Sequence, residues 1–138
     1  YPGLRPLSLP KGSAGNDRPL LVSPRQRMLI DDWRAEVYFG EDRVLVAAEA
    51  LSDRTDARPD LPADGIDYVM LLCDRHEILI AEGALTESFH PGEAGLAAMT
   101  PDERAALSGI LPEAELIRRR SAYPIIRNAE ARALRILG

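Results

Sequence analysis

The sequence predicts a mainly β chain closed by short C-terminal helices. Two observations carry that reading. Up to residue 89 the apolar residues fall in short runs, each stopped by Pro, Gly or charged turn residues. After about Glu93 the pattern changes to Ala-, Leu- and Arg-rich stretches with helix-start signals. Strands first and helices last predict a β-rich body with a small helical attachment.

Residues 1–19 are dense in Pro and Gly and read as loop, with a short strand at residues 7–9. "LLV" (20–22) and "RMLI" (27–30) flank "SPRQ", and read as two strands joined by a tight turn. "WRAEVYF" (33–39) fits a helical turn or a strand, and Gly40 stops it. "RVLVAAEAL" (43–51) starts β-like and ends Ala-rich. Residues 52–65 are polar with two prolines, as a surface loop would be. "IDYVMLLC" (66–73) is nearly continuous in apolar residues, which predicts a strand buried on both faces. "DRH" turns the chain, "EILIA" (77–81) returns, Glu82 and Gly83 turn it again, and "ALTESF" (84–89) follows. That is a three-stranded meander. Helix is expected only after about Glu93. There Thr100, Pro101 and Glu103 form a capping-box pattern. Residues 112–122 run from acidic to basic, matching the helix dipole, and residues 124–137 lean towards helix.

The 138 residues suit one domain, and nearly half of them are apolar. A net charge of −5 argues against a nucleic-acid footprint. A single cysteine, Cys73, excludes an internal disulfide framework. No apolar run approaches the roughly 20 residues of a spanning helix. The chain opens on Tyr1 rather than Met, so it reads as a piece of something longer.

Cys73 and His76 lie three residues apart. A catalytic pair needs the thiol in reach of the imidazole and a setting that favours thiolate. Cys73 ends an apolar run with a turn before His76, so a buried, inert thiol and a turn-capping histidine are the better readings. Cys73, His76 and His90 can be drawn as a metal site, but their spacing matches no ligand pattern. No metal or cofactor is expected. Arg118, Arg119 and Arg120 read as a solvated helix end before an anion patch. Ser23, His76 and Asp74 make a triad on paper only, without a nucleophile elbow. Trp33 and Tyr38 read as core or rim aromatics.

Several segments together resemble a known family. "LLVSPRQRMLI", "VLVAAEAL", "DYVMLLCDRHEILIAEGALTESFHPGE" and "LSGILPE" are similar to the bacterial Hint domain, the hedgehog/intein autoprocessing module. The nearest branch is the one common in secreted and calcium-repeat proteins of proteobacteria. The similarity runs from about residue 4 to 112, and residues 66–93 are its specific part. It implies a β horseshoe in which distant strands meet at a central site. It implies a first-residue cysteine or serine that attacks the preceding peptide carbonyl, giving an N-to-S acyl shift and then cleavage or ligation. That chemistry needs a nucleophile, a group that moves a proton to the departing nitrogen, and oxyanion donors.

Carried onto this chain, the family's Thr- or Ser-x-x-His motif reads Ser23, Pro24, Arg25, Gln26. Ser23 fits, and Gln26 stands where the histidine belongs. An amide donates a hydrogen bond but does not carry a proton near neutral pH. Met70 stands where the family has a histidine two residues after its tyrosine, here Tyr68. The later histidine is kept as His76, and Cys73 takes a place that is usually apolar. The nucleophile segment is expected upstream of Tyr1. The resemblance therefore implies the C-terminal portion of a Hint domain over residues 1–112, with a helical extension over 113–138. Its site residues are Ser23, Gln26 and His76. Its partner is the rest of its own polypeptide, with no nucleic acid and no membrane span. The chain alone is expected to be silent. The alternative is a degenerate, non-cleaving module of a secreted protein. Ser23 and Gln26 should converge on His76 across the fold.

Overall fold

The computed structural model describes residues 6–51, 58–59 and 71–134. Strand β1 (Leu7–Leu9) lies between β2 (Leu20–Val22) and β5 (Arg58–Pro59), antiparallel to both. The loop from β1 to β2 is organised by Asn16, which is buried. Its side-chain amide donates to the carbonyls of Leu9, Pro10 and Arg18, and its oxygen accepts from Ala14 N–H.

The second sheet has the order β4-β3-β7-β6, with β3 at Arg27–Asp31, β4 at Arg43–Ala47, β6 at Ile78–Ala81 and β7 at Ala84–Glu87. The tight turn expected at residues 23–26 is present, with Gln26 N–H donating to Ser23 O at 3.0 Å. It is a corner between sheets rather than a hairpin: β2 pairs with β1, while β3 pairs with β4 and β7. The β6 to β7 hairpin is as expected. Glu82 and Gly83 both have positive φ, 51° and 83°, which matches the right-handed twist of the two strands.

Helix enters earlier than expected. Residues Trp33–Phe39 form α1, because Asp32 caps the N-terminus through Arg34 N–H and Gly40 ends it at φ 74°. Ala48–Leu51 form α2 directly after β4. Trp33 and Tyr38 are 67% and 64% exposed, so neither is a core aromatic. Of α1 only Ala35 is fully buried, and Phe39, partly buried, packs against the same core.

The buried strand expected at 66–73 is not seen in its described part. Residues 71–73 are irregular, Leu71 is 60% exposed and Cys73 is half-buried. Residues 66–70 lie outside the described residues, as does most of the 52–65 loop. The described part of the meander is the β6 and β7 hairpin, whose inner neighbour is β3. Leu71 O instead accepts from Phe89 N–H, beyond the end of β7.

Helices α3 (Gly92–Ala97), α4 (Pro101–Ser108) and α5 (Glu113–Arg118) bury Leu96, Leu107 and Leu116 in a small cluster with Leu72, Phe89, Met99 and Leu111. The capping box of Thr100 and Glu103 is formed. The chain then returns to the main core. Leu45 N–H donates to Pro124 O, Ile126 N–H donates to Leu45 O, and Ile125 bridges Leu45 in parallel. Helix α6 (Asn128–Leu134) follows. Ile126 and Ala131 are buried with Leu9, Met28, Ile30, Val44 and Val46.

Candidate functional site

Where β3 meets β7, the pleat brings the corner at 23–26 against the end of the hairpin. Met28 pairs with Thr86, which places Gln26 and Arg27 beside Thr86 and Glu87. Gln26 Nε2 donates to Thr86 Oγ1 at 2.7 Å and to Glu87 O at 2.9 Å. The Thr86 hydroxyl passes the chain on, donating to Arg27 O at 2.8 Å. Arg27 N–H donates to Glu87 Oε2, and Arg27 Nη1 donates to Glu87 Oε1, both at 3.0 Å. The same Nη1 donates to His90 O.

His76 is the buried centre of this network, 4% exposed. Its Nδ1 accepts from Ala122 N–H at 2.9 Å, so its proton sits on Nε2 and is donated to Glu87 Oε1, also at 2.9 Å. Ser88, also buried, clamps the turn that presents His76: its Oγ accepts from Glu77 N–H and donates to Arg75 O. His90 stacks on His76, with centroids 4.1 Å apart and planes 14° from parallel. Arg119 donates to Cys73 O. Among the described residues, the buried atoms His90 Nδ1 and Arg119 Nη1 have no hydrogen-bond partner.

Burial dominates the electrostatics. It holds His76 below the usual imidazole range, helped by Arg27 and Arg119. His90 is lowered by burial, then by His76 and Arg27. Burial also raises the Glu87 carboxyl, against the opposing pull of Arg27. Neutral rings at neutral pH agree with the tautomer that the hydrogen bonds require.

Of the three expected site residues, Gln26 and His76 meet at Glu87. Ser23 is held in its own turn, its Oγ accepting from Arg25 N–H and its carbonyl from Gln26 N–H. Asp74 is exposed, and the carboxylate beside His76 is Glu87. Among the described residues no three His, Cys, Asp or Glu side chains are grouped to hold a metal ion. Sequence reasoning missed Thr86, Glu87, Arg27 and the Ala122 amide. The one legible signal was Glu87, a carboxylate directly after a Thr in a strand that should bury one face.

Both Gln26 hydrogens and both His76 nitrogens are therefore engaged within the protein. The arrangement is one polar network joining a corner, a hairpin and a C-terminal crossing. The sequence model of the Hint domain matches residues 1–93 of this chain. The chain belongs to the Hint domain family. No curated protein and no solved structure matches it.

Proposed function

We propose that this chain is a non-cleaving Hint module, in which the proton-transfer positions of the self-processing site serve as structural hydrogen-bonding groups. One observation carries the reading. Gln26, at the place of the family's motif histidine, uses both amide hydrogens on Thr86 and Glu87. An amide so held offers a departing nitrogen no proton. His76 does not replace it, because both of its nitrogens are occupied. Met70, at the other histidine position, has no proton to give. Such a module acts within its own polypeptide, as a folded cap or contact surface.

A second reading, self-cleavage in the full-length parent, is favoured by one feature. His90 Nδ1 has no partner among the described residues and lies in the same cluster. The test is a fusion carrying the full parent reading frame, incubated with and without dithiothreitol and followed by mass spectrometry. Intact fusion under both conditions supports the silent module. Thiol-dependent release of the upstream part supports self-cleavage.

A further inference from the structure

The chain between α5 and residue 124 passes against the buried His76 and its partly buried neighbour His90, and its hold there depends on an unprotonated ring nitrogen. Ala122 N–H points at His76 Nδ1, 2.9 Å away. A proton on Nδ1 would set a donor against a donor at that distance. His76 cannot turn away to avoid it, because its Nε2 is held by Glu87. His90 lies flat against it at 4.1 Å, so two charged rings would also repel each other.

We propose that His76 and His90 form an acid-sensitive latch: protonation of the pair frees residues 119–122 from the cluster while the sheets, Tyr123 on Arg43 and the 124–126 crossing stay in place. The inference does not depend on whether the Hint chemistry is intact.

The surrounding charges favour release. His76 faces Arg27 from β3, Arg119 from the crossing, Glu87 from β7 and Glu77 from its own segment. His90 faces Arg27, Glu87, Arg119 and His76. Arg27 is already neutralised by Glu87. Arg119 is not neutralised within the cluster: its guanidinium meets the Cys73 carbonyl, and its Nη1 has no acceptor among the described residues. A new proton therefore adds beside a guanidinium that makes no ion pair within the cluster, with Glu77 the opposing charge. The anchors on either side of the latch differ. Residues 119–122 are held by Arg119 on Cys73 O and by Ala122 on His76, and the next residue, Tyr123, hydrogen-bonds Arg43 of β4. Ile126 is buried in the main core, and the 124–126 segment is bonded to β4 twice through Leu45, whose N–H donates to Pro124 O and whose carbonyl accepts from Ile126 N–H. The weak span lies between these two kinds of anchor. Opening it would expose His76, and with it Glu87, to solvent. Burial and the arginines lower both rings, so the transition lies below pH 6.5.

The experiment is amide hydrogen exchange by NMR on the intact chain between pH 7 and pH 5, corrected for the intrinsic pH dependence of exchange. Protection of Ala122 should fall by about tenfold per pH unit for each proton taken up. Protection of Leu45, Ile126 and Met28 should hold. Ala122 protection that ignores pH, or loss at all four amides together, would overturn the latch. His76→Gln removes the proton that opposes Ala122 N–H and should make the fall shallower by one proton, leaving that of His90. His90→Phe keeps a flat ring on His76 and should make the fall shallower by one proton. An unchanged slope in His90→Phe would remove His90 from the latch and overturn the paired mechanism.

Discussion

Arg27 grips the carboxylate of Glu87 twice, its backbone N–H on Oε2 and its guanidinium on Oε1, each at 3.0 Å. The two strands that carry them share one register pair, Met28 with Thr86. Side-chain bonds therefore extend the junction between β3 and β7 beyond its backbone ladder. The same carboxylate accepts from His76, so one residue ties the corner, the hairpin and the buried imidazole together.

Glu87→Ala should be among the most damaging single changes. It leaves a partly buried guanidinium and the buried His76 N–H without their acceptor. Breaking a buried charged pair on one side costs about 3–5 kcal/mol. Urea unfolding followed by circular dichroism measures it. A loss below about 1 kcal/mol would mean that solvent replaces the carboxylate at little cost.

Ile126→Ala tests whether the C-terminal crossing belongs to the core. Ile126 is buried among Leu9, Met28 and Val44. Removing it should cost about 2–5 kcal/mol. A chain ended at residue 112 should be further destabilised, because it also loses Ala131 and Leu116. Cooperative unfolding of that shortened chain at an unchanged urea midpoint would show the crossing to be dispensable.

The residues that made the β6 and β7 hairpin legible also explain what was not legible. "EILIAEGALTE" carries its turn in Glu82 and Gly83, a local signal that needs no partner. The capping box at Thr100 is equally local. Residues 33–39 satisfy both a helical and a strand pattern. The decision falls to Asp32, whose side chain caps Arg34 N–H, and to Gly40. In the site, Gln26 and His76 were found through resemblance. Glu87 and Ala122 were not, because the first depends on strand register and the second on a backbone donor 46 residues away. The apolar run before Cys73 suggested burial, yet Leu71 faces solvent. Apolar composition alone does not reveal which side chains a neighbouring element covers.

Gly83→Ala should lower stability by about 1–2 kcal/mol, since an L residue at φ 83° is strained. The added methyl would also sit 2.5 Å from Asp17 Oδ2, so Asp17 must move. Thermal unfolding of Gly83→Ala, alone and combined with Asp17→Ala, separates the two effects. The backbone penalty should remain in the double variant.

Global stability should fall as the pH drops below about 6.5, the unfolded histidine value. Both rings are lowered in the fold, so between their folded values and 6.5 the unfolded chain binds more protons. Their full contribution is present above that window and is lost through it. Glu87 works in the opposite sense, because burial raises its carboxyl, and its window opens above 4.5. Urea midpoints at pH 7.5, 6.5 and 5.5 should therefore decline in order. In the double variant His76→Gln, His90→Phe the decline should be smaller. An equal decline in that variant would assign the acid sensitivity elsewhere.

The central claim is that Gln26 has replaced a proton carrier with a structural amide. Its most direct test is the cleavage rate of the full parent fusion and of its Gln26→His variant, each with and without dithiothreitol, on folded protein. The unmodified fusion should stay intact. Gln26→His should raise thiol-dependent cleavage, within about 10²–10⁴-fold for a restored acid/base and by less where Met70 is a second defect. Equal rates in the two proteins, or rapid cleavage of the unmodified one, would contradict the account.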